Sequence, residues 1–386
     1  MQTRGATVAK LGTAVTIAYA STYYLPAILA KQMAASLGVE TSTVFLAFSV
    51  ALLVSAVVGP LAGRLVDRYG GRRVLAANNL VFAAGLVALA SAQGSASLFA
   101  AWLLLGLAMG AGFYETAFST LVRLYGKDAR STITGITLIA GFASTVGWPL
   151  TAWLEASHGW RMACLAWAGV HVLVALPLHL WLAQPSGPSI ATVESTPTAH
   201  CDTAVRRNGV AWVLAFVFGS TWFVSTAMAA HLPLLLQANG VSLAASVVFA
   251  SLVGPAQVAG RLLEHGLLRR FSPLISARLA SIAHAVGASV FLLFGVPAGA
   301  FFTVLHGAGN GIMTIANGTL PLIFFGPLGY GTRQGYLMMP ARFAQAAAPY
   351  FFGLAIAAYG PQALVLSITL GALSCTVLML LKVPHE

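Results

Sequence analysis

Gly59-Pro60-Leu61-Ala62-Gly63-Arg64-Leu65-Val66-Asp67-Arg68-Tyr69-Gly70-Gly71-Arg72-Arg73 is the stretch that decides the fold. It packs charge densely in a chain where only 8% of residues are charged. Apolar runs flank it, residues 42–63 before and 74–93 after. Each is roughly 20 residues, the length a helix needs to cross about 30 Å of hydrocarbon. A short arginine-rich turn between two such spans reads as a cytoplasmic hairpin, because positive charge is retained on that side. The pattern then returns. Gly260-Arg261-Leu262-Leu263-Glu264-His265-Gly266-Leu267-Leu268-Arg269-Arg270 aligns without a gap on Gly63 to Arg73, so Glu264 meets Asp67 and Arg269-Arg270 meets Arg72-Arg73. Gly59-Pro60 has a counterpart in Gly254-Pro255, with the spacing changed by two residues. The second copy begins about half a chain after the first, in the same orientation, which is the sequence sign of a transporter built from parallel repeats.

Bulk composition agrees. Hydrophobic residues make up 58% of the chain and the mean hydropathy is +0.85. A soluble domain this apolar would expose large adhesive patches. The formal charge of +11 could suggest a nucleic-acid partner, but the basic residues sit in alternate loops. Only Lys31 and Arg161 fall in loops assigned to the outer face, which places both termini in the cytoplasm and leaves no nucleic-acid partner. Spans are expected at 11–30, 42–63, 74–93, 97–122, 131–154 and 162–183, then at 210–236, 243–260, 277–294, 300–325, 335–359 and 361–381. The fold expected is therefore an all-α membrane protein of twelve transmembrane helices in two pseudo-symmetric six-helix bundles, 1–183 and 209–386. Residues 184–208, rich in Pro, Ser and Thr, read as a cytoplasmic linker. Cys164, Cys201 and Cys375 lie far apart with no metal-ligand spacing, so no metal and no cofactor is expected.

Gly63-Arg64-Leu65-Val66-Asp67-Arg68-Tyr69-Gly70-Gly71-Arg72-Arg73 resembles the loop signature between helices 2 and 3 of the major facilitator superfamily, and the degenerate copy at residues 260–270 fits the loop between helices 8 and 9. Gly159-Trp160-Arg161, before the sixth span, is also common in that family. The resemblance implies twelve helices, a central cavity between the halves, and alternating access. It also implies a gating role for Gly63, Asp67, Arg68, Gly70, Arg72, Arg73, Arg261 and Glu264, with Asp67 bracing helix ends through arginine pairs. Phe45-Leu46-Ala47-Phe48-Ser49, followed by Leu52-Leu53-Val54-Ser55, resembles bacterial permeases related to monocarboxylate porters. The arginine that those porters embed in helix 8 is replaced by Gln257, with Arg261 only at the helix end.

Charge in hydrocarbon is costly and marks a pathway or a paired site. Away from the ends of the spans only Glu115 and Arg342 are formally charged. Glu115 is eight residues from Arg123 and Arg342 nine from Arg333, so each lies roughly 12–13 Å from the arginine-rich side at 1.5 Å per residue. They either pair across a closed gate or share a substrate and proton site. Tyr19 and Tyr23, four apart on the first span, share one face ahead of Pro26 and are candidate cavity residues. His231, before Pro233, could relay protons. His306, Asn310, Thr314 and Asn317 form one polar stripe on the tenth span, expected to face the cavity, with Gln257 joining it; His284 reads as structural.

The function expected is secondary active transport of one small solute, an organic or inorganic anion, coupled to protons, by a monomer in the lipid bilayer of the bacterial inner membrane. The alternative within transport is proton-antiport efflux of drugs or toxic metalloids. No phosphate-binding loop of the GxxxxGK type occurs. A membrane enzyme would need paired carboxylates or a metal constellation, and a sensor would need a soluble output domain.

Overall fold

The structure, a computed structural model, describes residues 3–183 and 201–382. Among those residues it is helical, with no strand. The first span is α1 (Arg4–Ala18), a π-helical turn (Tyr19–Tyr23) and α2 (Leu25–Leu37). The second and third are α3 (Thr41–Tyr69) and α4 (Gly71–Ala90). The fourth is split into α5 (Ser95–Gly112) and α6 (Tyr114–Tyr125). α7 (Ala129–Ala140) and the start of α8 (Ala143–Val170) make the fifth; α8 bends sharply at Gly159, whose φ is 81°. The rest of α8, a second π-helical turn (His171–Ala175) and α9 (Leu176–Leu180) make the sixth. Six more follow: α10 (Cys201–Ala238), α11 (Leu243–Ser251) with α12 (Val253–Gly266), α13 (Pro273–Phe294), α14 (Gly299–Phe325), α15 (Tyr330–Tyr359) and α16 (Leu364–Met379). Every span expected from hydropathy has its helix. The stretches Ser95–Leu180 and Tyr330–Met379 each hold more than one crossing run together by helical connections. The expected linker lies outside the described residues up to position 200, and α10 is helical from Cys201.

The chain divides into two compact units. One takes the described residues up to 183 together with Gly326–Met339, and the other takes those from 201 to Phe325 together with Pro340 onward. The first unit thus captures the start of α15, a piece coded in the second half. Backbone-to-backbone packing explains the capture. A Cβ added to Gly63 on α3 would lie 1.9 Å from the carbonyl oxygen of Gly331, and one added to Gly335 would lie 2.5 Å from Cα of Pro60. Such contact is how helices associate where lipid supplies no hydrophobic drive. In the second unit α14 is pressed on α12 in the same way, a Cβ at Gly311 falling 2.2 Å from the carbonyl oxygen of Gln257. Large apolar side chains such as Leu173, Leu293 and Trp212 point outward, as they do when the surrounding solvent is hydrocarbon.

Candidate functional site

In the first unit the site begins with a break in the first span. Pro26 cannot donate a backbone N–H, and the chain ahead of it widens into a π turn closed by Tyr24 N–H donating to the Tyr19 carbonyl at 3.0 Å. Turns of this kind cluster at functional positions. This one projects tyrosines into a group of rings. Tyr19, buried, stacks on Phe113 at 4.0 Å between centroids and 13° between planes, and meets Tyr114 at 5.1 Å and Tyr23 at 5.8 Å. Tyr23 packs edge-on to Phe48 at 5.7 Å, and Tyr24 likewise to Trp148 at 5.7 Å. The expected pair Tyr19 and Tyr23 is therefore brought together, within a larger aromatic cluster.

A second break supplies two of those rings, Phe113 and Tyr114. α5 ends at Gly112, Phe113 is extended at φ −88° and ψ −166°, and α6 restarts at Tyr114. Glycines 110 and 112 weaken the helix here, and Gly112 lies so close to α4 that a Cβ would come 2.4 Å from the Phe82 ring. Asn78 on α4 donates to the Ala108 carbonyl at 2.9 Å in the last turn of α5. Glu115, half-buried, thus sits in the first turn of a new helix, where the positive end of the backbone dipole favours a carboxylate. Discontinuous helices of this kind line solute sites in secondary transporters.

Beside the tyrosines runs a buried polar chain that the sequence reading missed. Ser21 of the first π turn and Nε2 of His171 in the second are 2.8 Å apart; His171 Nδ1 is 3.0 Å from Asn79 Oδ1; Asn79 Nδ2 is 2.6 Å from His179 Nδ1 and donates to the Leu75 carbonyl at 2.9 Å. The amide fixes the tautomers. Its oxygen accepts a hydrogen bond from His171 Nδ1–H, so His171 Nε2 accepts from Ser21; its nitrogen donates to His179 Nδ1, so His179 carries its proton on Nε2. Phe82 stacks on His171 at 4.6 Å and lies 6.5 Å from Phe113. Rings and hydrogen bonds together join the tyrosine cluster to the sixth span. Two asparagines in one apolar span and two histidines eight apart in another were the available signals.

The arginine-rich loop braces the captured start of α15. The Asp67 carboxylate accepts from Gly331 N at 3.0 Å, Thr332 N at 2.8 Å and Thr332 Oγ1 at 2.9 Å. These amides are among the first of α15 and have no partner inside the helix, so Asp67 acts as a cap supplied from another helix. The brace runs through backbone amides, where arginine pairs were expected. Arg64 donates to the Tyr336 hydroxyl and lies over its ring, while Arg123 donates to the carbonyls of Val66 and Asp67. Gly70 holds φ 84°, a conformation that glycine alone adopts cheaply. Arg68 lies over the Tyr69 ring, and Arg72 and Arg73 line a cavity beside it.

In the second unit Arg342 is buried on α15, donates to Gln345 Oε1 at 2.9 Å and lies 5.6 Å from the Trp222 ring centroid. Asn317 joins the same group: with its amide oriented to satisfy both neighbours, its oxygen accepts from Trp222 Nε1 at 3.0 Å and its nitrogen donates to the Met313 carbonyl at 3.3 Å. Trp222 and Gln345 were not anticipated. The rest of the α14 stripe goes elsewhere. His306 Nδ1 lies 3.1 Å from His284 Nδ1 on α13, both rings buried, and Thr314 donates to its own helix at the Asn310 carbonyl. Asn310 and Gln257 are half-buried. His231 Nε2 is 2.8 Å from the Pro349 carbonyl and stacks near Phe352, a link between α10 and α15. The second loop copy differs from the first: Glu264 accepts from Ser276 Oγ at 2.5 Å, and Arg261 is buried. Among the described residues no cluster of His, Cys, Asp and Glu could hold a metal ion.

The sequence pattern described as Major Facilitator Superfamily matches residues 11–327. The chain belongs to the Major Facilitator Superfamily. A superfamily member is an integral membrane transporter of small molecules, not an enzyme. The 3-(3-hydroxy-phenyl)propionate transporter of Escherichia coli (strain K12) is 31% identical over 278 residues, covering 67% of this chain and 66% of that one. The gallate transporter of Pseudomonas putida is 31% identical over 160 residues, covering 41% and 35%. Among solved structures, the human organic anion transporter MFSD10 superposes with a TM-score of 0.69 over 98% of this chain and 99% of that one, at 19% identity, a likeness of fold.

Proposed function

We propose that this superfamily transporter carries a small aromatic carboxylate across the bacterial inner membrane by alternating access, as a monomer with cytoplasmic termini and a proton as coupling ion. The observation that carries the substrate class is the ring cluster of Tyr19, Tyr23, Phe113 and Tyr114 at two helix breaks. Offset stacking and edge contacts are worth about 0.5–1.5 kcal/mol per ring pair beyond burial, so such a cluster favours a flat ring over an aliphatic chain. Hydroxyls on the tyrosines suit a ring bearing hydroxyl groups. Two relatives are named for substrates of that chemistry, a hydroxyphenyl propionate and a trihydroxybenzoate. Arg342, buried beside Trp222 in the second unit, supplies selection for negative charge. Glu115, in the first turn of α6, is the candidate proton carrier in the first unit.

The test is competition in reconstituted liposomes. Uptake of labelled gallate is measured against excess 3-hydroxyphenylpropionate, benzoate, lactate and the neutral amide of gallate. The reading expects the aromatic acids to compete, and lactate and the amide to fail. Equal competition by lactate, or no gallate uptake above empty liposomes, sinks it.

A further inference from the structure

Away from the residues assigned to substrate, a cavity of about 290 Å³ opens in the first unit beside the arginine-rich loop, lined by Arg68, Arg72, Arg73, Arg123, Thr120 and the backbone of Gly70 and Gly71. Among the described residues that line it none is a carboxylate. The neighbouring acid, Asp67, is occupied by the amides of α15. Among the described residues no carboxylate lies within 4.0 Å of Arg68, Arg72, Arg73 or Arg123 in an ion pair. Arg123 is held by two carbonyls through Nη1, while its Nε is buried without a hydrogen-bond partner. Gly70 faces that Nε: a Cβ added there would lie in van der Waals contact with it, at 3.7 Å. The cavity also receives the start of the 20-residue helix α4, whose first helical hydrogen bond is made by Val74 N to Gly70 O. The N–H groups of Gly71, Arg72 and Arg73 before it have no partner within the helix. Four arginines line one hollow, where an anion would relieve their mutual repulsion, and a guanidinium fork matches the oxygens of a phosphate.

We propose that this cavity binds a phosphate-bearing anion, either the headgroup of an anionic phospholipid or a free phosphate compound, on the face of the membrane that carries the arginine-rich loops. Arg72 and Arg73 grip the phosphate oxygens, Arg123 fixes the wall, and the α4 amides supply the remaining donors. This does not rest on the aromatic substrate assignment. An occupant neutralises the loop next to Asp67 and so bears on the brace to α15.

The experiment uses the full-length protein and two probes. One arm reconstitutes it in phosphatidylcholine nanodiscs with and without phosphatidylglycerol and counts retained phosphatidylglycerol by native mass spectrometry. The other titrates the detergent-solubilised protein with inorganic phosphate by calorimetry. One of the two probes should bind, and R72Q/R73Q should weaken it by at least about tenfold, the scale of one lost charge-assisted hydrogen bond. R269Q/R270Q, at the matching positions of the second loop, should leave that binding unchanged. Phosphatidylglycerol retention sensitive to R72Q/R73Q identifies a lipid headgroup; phosphate binding with that sensitivity identifies a soluble ligand. Should R72Q/R73Q fail to fold, R68Q, at an exposed side chain, takes its place. Absence of binding by both probes, or equal loss in R269Q/R270Q, overturns the proposal.

Discussion

Replacing Asp67 by alanine removes the acceptor of two backbone amides and one hydroxyl at the start of α15. Loss of an N-cap acceptor costs about 0.5–2 kcal/mol, and a buried hydrogen bond to a charged group contributes about 1.5–3 kcal/mol net. Asp67 is half-buried, so water recovers part of the loss. A net cost of about 2–3 kcal/mol follows, or about a 30- to 160-fold shift in the equilibrium between docked and undocked α15 start. Asp67→Asn keeps a carbonyl oxygen for one amide but loses the charge, and should cost about half as much. The assay is amide hydrogen exchange of the peptide containing Gly331 and Thr332 in detergent, compared with a peptide from the α13 core. Asp67→Ala should accelerate the first by the factor given and leave the second unmoved. Unchanged exchange at Gly331 and Thr332 would show that Asp67 does not hold this helix end, and the capping argument would fall.

Other outcomes follow from the same contacts. Gly63→Val drives a side chain into the Gly331 carbonyl, 1.9 Å from where its Cβ must sit, so a cysteine pair placed across α3 and the α15 start should lose most of its cross-linking. Asn79→Leu strips both histidines of their shared partner and leaves buried nitrogens unsatisfied at about 1–3 kcal/mol each; the melting temperature in detergent should fall by several degrees. Tyr19→Leu should raise KM for an aromatic acid by about threefold to tenfold, the scale of one lost ring contact, with little change in total protein folded by size exclusion. Arg342→Ala should abolish discrimination between gallate and its neutral amide in the competition assay.

Much of the architecture was legible because hydrocarbon enforces it. A crossing helix has a fixed length and alternate loops retain arginine, so the crossings and the repeat at residues 63 and 260 could be read directly. The tyrosine pair was legible because its members are four residues apart. The Ser21–His171–Asn79–His179 chain was not, since its links join residues 92 to 150 positions apart and no local period encodes them. The α14 stripe shows a subtler limit. Period alone placed His306 and Asn317 on one face, but eleven residues is about 16 Å of helix, and helices cross at angles. Over that length the face passes from α13, where His306 meets His284, to α10, where Asn317 meets Trp222. In sequence Asp67 stands beside arginines; a helix that arrives from 264 positions later offers it amides instead.

Coupled uptake is the most direct test. Proteoliposomes given a pH gradient, acid outside, should accumulate labelled gallate above the external concentration, and a protonophore should collapse that excess. Gallate that merely equilibrates, or accumulates equally with the gradient dissipated, would contradict a proton-driven carrier of aromatic acids.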